Sequence, residues 1–290
     1  MLARGGTQIF SDSSPWESIT PIMAEYPSAL FAVNLESPIG EFNTALDPSI
    51  ADMNLCADAS EIRVLADGGI DFVTNANNHQ EDCLSSGTSN AAQALRTAGI
   101  GVAATSDVVY ALAGKQKVAF IALDAYSSEA DLTGLLAGIS FAHDNSDLVA
   151  VSIHWGNEYQ AGPSRAQEDL AQELVDAGAD VVWGHHPHVL QRMEWRASSV
   201  DGHHALVMYS LGNLLADQWM LPDAMRTAIV HIEFSRHEIE SLLVIPLEMD
   251  AQTRTLQLIT QNEMASLVTE RLGLADLEMQ GVHVEVWEGQ

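Results

Sequence analysis

Two nearly continuous apolar runs, Val118 to Leu123 and Leu148 to His154, have strand length and apolar residues at almost every position. That pattern predicts strands covered on both faces. Val181-Val182-Trp183 is a third such run, leading straight into Gly184-His185-His186-Pro187-His188. Phe31 to Leu35 reads as a short strand ending in Glu36-Ser37-Pro38, and Asp71 to Thr74 as a buried strand opening onto Asn75-Ala76-Asn77-Asn78-His79. Between these runs the apolar spacing changes to that of helices. Ser60 caps a helix carrying Ile62, Val64 and Leu65, and Gly68-Gly69 stop it. Thr88 to Ala98 places Ala91, Ala92, Leu95 and Ala98 on one face. Ser164 with Gln167 forms a capping box before Leu170, Leu174 and Val175, and Gly178 closes that helix. Further strands are predicted at Leu206 to Leu211, Ile229 to Phe234, Leu242 to Leu247 and Thr255 to Ile259, with a closing helix over Met264 to Leu272. The first two-thirds alternate β and α and the last third is mostly strands, so the chain reads as one α/β domain without linker or repeat.

Composition narrows the function classes. Of 290 residues, 12 are Lys or Arg and 40 are Asp or Glu, a net charge of −28. Such a surface repels phosphate backbones and excludes general nucleic-acid binding as a role. Cys56 and Cys83 lack the paired spacing of a thiolate metal site. They read as free thiols, with a single bridge between them as the other arrangement. No apolar run approaches the roughly 18 residues of a membrane span, and the start of the chain lacks the basic-then-apolar layout of a signal peptide.

Histidine carries the chemistry. His154, His185, His186, His188, His203 and His204 fall within about fifty residues, several of them where a predicted strand ends. Loops beyond the carboxyl ends of strands are where α/β sheets bind ligands. Two imidazoles separated by one residue, His186 and His188, offer nitrogens to one metal or two adjacent metals. His154 ends its strand in the same way. Asn78 supplies a neutral oxygen donor, His79 a group able to protonate a leaving oxygen, and Glu36 a carboxylate able to bridge metals. Asp82 and Glu158 either orient a histidine or face water. Ser210-Leu211-Gly212-Asn213 is a strand exit that shapes the pocket, and His203-His204 is a turn. No Gly-rich phosphate loop and no nucleophile elbow are present.

In this order, Asn34-Leu35-Glu36-Ser37-Pro38, Ala76-Asn77-Asn78-His79 with Asp82, His154-Trp155-Gly156 with Glu158-Tyr159, Gly178-Ala179-Asp180 leading into Gly184-His185-His186-Pro187-His188, and Tyr209-Ser210-Leu211-Gly212-Asn213 resemble the CapA family. These are poly-γ-glutamate capsule synthesis proteins related to calcineurin-like metallophosphatases. The resemblance runs from the first residues to about residue 217. It implies a metallophosphatase-like αββα sandwich of two mixed β-sheets flanked by helices. It also implies a centre for two divalent transition metal ions (Mn, Fe or Zn) built from Glu36, Asn78, His154, His186 and His188. In that reading His79 is the proton donor, and Asn34, Asp82, Glu158, His185 and Asn213 line or support the site. Family members open with a strand ending Gly-Asp, and Met1-Leu2-Ala3-Arg4-Gly5 matches the residues just after that motif, so the reading expects an upstream strand carrying a further carboxylate. Residues 1–250 are then the domain lacking that strand, and 251–290 a C-terminal strand and helix packed on it.

The function so implied is a metal-dependent hydrolase acting on a phosphoester or capsule-polymer bond in the cell envelope. A non-catalytic accessory subunit of a membrane polyglutamate synthase is the alternative. Turnover with added metal separates the two.

Overall fold

The computed structural model describes residues 14–41, 54–83, 85–126, 131–218, 220–260 and 262–288. Met1 to Gly5, the segment that matches the family just after its first motif, lie outside the described residues. The long apolar runs become the centre of a six-stranded sheet: β4 (Val108–Ala113), β5 (Gln116–Asp124), β6 (Leu148–His154), β7 (Val181–His185), β8 (Leu190–Ala197) and β9 (His204–Leu211), in the order β4-β5-β6-β7-β9-β8. β5, β6, β7 and β9 run parallel, and the edge strands β4 and β8 run antiparallel to their neighbours.

Side chains alternate across a strand, and this alternation divides each run between two cores. Ala119, Ile121 and Leu123 of β5 join Val149, Val151 and Ile153 of β6 on one face, under helices α4 (Leu132–His143) and α5 (Arg165–Asp176). Val118, Phe120 and Ala122 face the other way, with Leu148 and Ala150, into the core between the layers. α5 begins as its sequence predicts: Ser164 Oγ accepts from Gln167 N, and the Gln167 side chain accepts from Ser164 N. Such a cap stabilises a helix by ~1 kcal/mol.

The second layer has two pieces. β1 (Ala32–Asn34), β2 (Phe72–Thr74) and β3 (Gly101–Ala103) form a parallel sheet in that order. β10 (Arg226–Ser235) and β11 (Glu238–Met249) form a long antiparallel hairpin, to which β12 (Leu256–Leu258) and β13 (His283–Val286) add on β11. Helices α1 (Thr20–Met23), α2 (Ile62–Asp67) and α3 (Ser85–Thr97) belong to this half, whose outer core includes Trp16, Leu65, Val73 and Ile245. Helices α6 (Asn262–Leu272) and α7 (Leu274–Met279) pack against β8, and β12 and β13 extend the hairpin along β11. The whole is α/β, with mixed sheets flanked by helices. Among the described residues the outer edge of β1 pairs with no strand, and that of β10 carries only the Gly212–Thr227 bridge. Between the two edges lies a cavity of about 700 Å³, lined by groups such as Ala32, Phe120, Ile229 and Phe234, with Glu36, His186 and His188 also on its wall.

The cysteines are not free. Cys56 and Cys83 form a disulfide across a separation of 27 residues. The reading as free thiols weighed only local spacing; the fold brings the two Cα atoms within 5.0 Å.

Candidate metal centre

Parallel pairing aligns strand ends. Asp124 of β5 is in register with His154 of β6, and His154 with His185 of β7. The polar residues that terminate three buried runs therefore lie side by side. The turn after β7 then holds His186 at φ 93° and His188 at φ 59°. Left-handed backbone at a non-glycine residue costs about 1–3 kcal/mol and persists only where surrounding structure enforces it. Both imidazoles are buried here.

Glu36, just beyond β1, meets this cluster from the other layer. Its Oε1 lies 3.7 Å from His154 Nε2 and 3.7 Å from His188 Nε2, too far for hydrogen bonds. Glu36, His154 and His186 bring one donor atom each within 4.8 Å of one another, and so do Glu158, His186 and His188. Among the described residues, Glu36 Oε1, both nitrogens of His154 and both of His186 are buried without a hydrogen-bond partner, as are Asn34 Oδ1 and Asn78 Oδ1. Each such atom costs ~1–3 kcal/mol when left unsatisfied. Oxygen and imidazole donors spaced in this way suit a divalent transition ion: two donors about 2.1 Å from one ion at a near-tetrahedral angle lie roughly 3.4 Å apart. The residues present fit a metal.

Electrostatics favour the ligating form. Burial drives His154 well below the usual imidazole range, and His186, His185, His188 and His79 push it further. Burial, then the neighbouring His188, lowers His186 to about 4, while Glu36 and Asp124 oppose the shift. Both rings are neutral near pH 7, with lone pairs available. Around them a second set of contacts fixes orientation. His188 Nδ1 lies 2.9 Å from Asn213 Oδ1, while Asn213 Nδ2 donates to Gln218 Oε1 and to the Ala224 carbonyl. Asn213 Oδ1 therefore accepts from His188 Nδ1 and turns Nε2 toward Glu36. His79 Nδ1 lies 2.9 Å from Asp82 Oδ2, which also accepts from Leu55 N. The neighbouring Cys56–Cys83 bridge ties those two segments together.

His185 is set apart from the other two histidines of its turn. Its Nε2 pairs with Ser152 Oγ at 3.0 Å, Ser152 bonds Thr74 Oγ1, and burial lowers its pKa to about 3. Asn34 ends β1 on the cavity wall. His203 and His204 are not brought to this cluster: His203 lies 5.6 Å from His143 and His204 stacks on Trp195. Two neighbours, Asp124 and Tyr126, escaped the sequence reading, and Tyr159 was read only as part of a motif. Asp124 acts electrostatically on His186, Tyr126 packs its ring 4.0 Å from His186, and Tyr159 lies 6.0 Å from His188. Asp124 carried the same signal as His154, a polar residue ending a buried apolar run.

Residues 1–218 match the profile of the family described as bacterial capsule synthesis protein PGA_cap. The chain is 34% identical over 194 residues to the capsule biosynthesis protein CapA of Bacillus anthracis, covering 58% of this chain and 46% of that protein. It is 29% identical over 208 residues to the PGA biosynthesis protein CapA of Bacillus subtilis (strain 168), covering 64% and 53%. The chain thus spans about half the length of the curated relatives it matches. A solved structure of a hypothetical protein from Thermus thermophilus aligns with 69% of this chain and 90% of its own at TM-score 0.45 and 15% identity.

Proposed function

Since the chain belongs to the PGA_cap family of bacterial capsule synthesis proteins, we propose that its cleft is a metal-dependent hydrolase site of the phosphoesterase type serving capsule or poly-γ-glutamate synthesis at the cell envelope. The observation that carries this reading is the set of buried, unpartnered donor atoms on Glu36, His154 and His186. In such sites bound divalent metal supplies Lewis acidity and an activated water.

The chain's own residues supply the remainder. Glu36, from one layer, stands between His154 and His188 from the other. Its carboxylate would help hold the metal, and Asn78 would contribute an amide oxygen. His154, His186 and His188 would present ring nitrogens to it, those of His154 and His186 kept neutral near pH 7 by burial. His79, with Nδ1 held by Asp82, keeps Nε2 as the atom that hands a proton to the leaving oxygen. The substrate is a phosphoester or a capsule-polymer bond, and membrane synthase subunits are its partners.

His79→Ala is expected to lower hydrolysis of an activated aryl phosphodiester by about 10²–10⁴ while metal content stays near that of the parent. His186→Ala with His188→Ala is expected to remove the metal bound in the cleft. Unchanged metal in the double variant, or metal-loaded protein without turnover, refutes the reading.

A further inference from the structure

At the opposite end of the six-stranded sheet, Asp180 stands immediately before β7 with its carboxylate fully buried. Five residues at about 3.3 Å each put it roughly 16 Å from the His185 turn. Oδ2 accepts from Val149 N at 2.6 Å and pairs with His237 Nδ1 at 2.8 Å. Among the described residues Oδ1 has no hydrogen-bond partner; it lies 4.0 Å from His143 Nδ1, which itself donates to the Gly178 carbonyl at 3.0 Å. The His143 and His237 rings face each other at 3.9 Å, and one donor atom from each of the three residues falls within 4.8 Å of the others.

The local backbone assembles this group. His143 is the last residue of α4. His237 sits in the β10–β11 turn at φ 67°, after Arg236 at φ 47°, and its N donates to Asp147 O. Gly178, at φ 107°, leaves room for the His143 ring: a Cβ there would lie 3.0 Å from His143 Cβ. His203 flanks the group, but its nitrogens already face Asp201 Oδ1 and the Ala179 carbonyl.

We propose that His143, Asp180 and His237 form a second metal site, separate from the cleft, that takes a zinc-class divalent transition ion. Two imidazoles and one carboxylate are a recognised donor set for such ions. His143 directs Nδ1–H to the Gly178 carbonyl and His237 directs Nδ1–H to Asp180, so each imidazole would ligate through Nε2. The orphaned Oδ1 supplies a charged oxygen that no hydrogen bond among the described residues satisfies. The ion's role is structural, joining the end of α4, the start of β7 and the hairpin of the other layer. It thereby fastens the two layers at the end remote from the cleft.

The test isolates this site with the His186→Ala/His188→Ala protein, loaded with Zn(II), dialysed and analysed for metal. We expect stoichiometric zinc to remain, and His143→Ala or His237→Ala added to that background to reduce it about tenfold or more. Co(II) in place of zinc should give ligand-field absorption that the same substitutions abolish. His237→Gln, which keeps a hydrogen-bonding group beside Asp180, serves should the alanine variant fail to fold by circular dichroism, and is expected to lose the metal equally. Absence of zinc from the His186→Ala/His188→Ala protein overturns the site, as does zinc that survives loss of both His143 and His237. Either result leaves an Asp180–His237 ion pair alone. Neither bears on catalysis in the cleft, which is read from turnover.

Discussion

Gly184, which precedes the three-histidine turn, gives the sharpest test of how the fold holds the cleft. A Cβ on Gly184 would overlap the Tyr209 carbonyl oxygen and Trp155 Nε1. Those two atoms bond each other, indole N–H to carbonyl, at 3.0 Å, and both residues are buried. Gly184→Ala therefore drives a methyl into a filled space and into a buried hydrogen bond at once. Overpacking a close-packed interior costs typically ~1–3 kcal/mol, and stranding the indole or the carbonyl adds ~1–3 kcal/mol. The expected destabilisation is about 2–6 kcal/mol, a fall of roughly 3–10 °C in Tm at the slope of a chain of this size. β7 can relieve the overlap only by moving away from β9, which carries His186 and His188 with it, so metal content should fall in the same variant. Denaturant unfolding of metal-stripped protein measures the first effect, and elemental analysis of loaded protein the second. Gly162→Ala is the control: a Cβ there meets nothing within 4 Å and should change stability by less than about 1 kcal/mol. A Gly184→Ala protein as stable as the Gly162→Ala control would refute the packing argument.

Contacts around the cleft give two further expected outcomes. Replacing Cys56 and Cys83 by serine, or reducing their bond, releases a loop of 27 residues; the chain-entropy relation gives a loss of about 3.5 kcal/mol, and unfolding curves unaffected by reductant would contradict it. Asn213→Ala removes the acceptor that orients His188 and should weaken metal binding about 10–100-fold with little change in fold, so unaltered affinity by competition titration would show that His188 needs no such support.

The legible part of the chain was local. Apolar residues at successive positions exposed β5 and β6 because strands buried on both faces leave no polar alternation, and Ser164 with Gln167 announced α5 because a capping box acts over one turn. The residues that end those strands, His154 and the turn from Gly184 to His188, stood out for the same reason. Other elements hid in weaker patterns. β4 is a half-exposed edge strand, β3 has three residues, and α4 is apolar around most of its circumference, so no stripe marks it. Only tertiary structure decided the non-local pairing. β9 inserts between β7 and β8, Cys56 finds Cys83, Asp180 meets His143 and His237, and Glu36 crosses from the second layer to stand between His154 and His188. Each of these joins residues whose proximity depends on how the layers stack, and spacing along the chain carries no record of that.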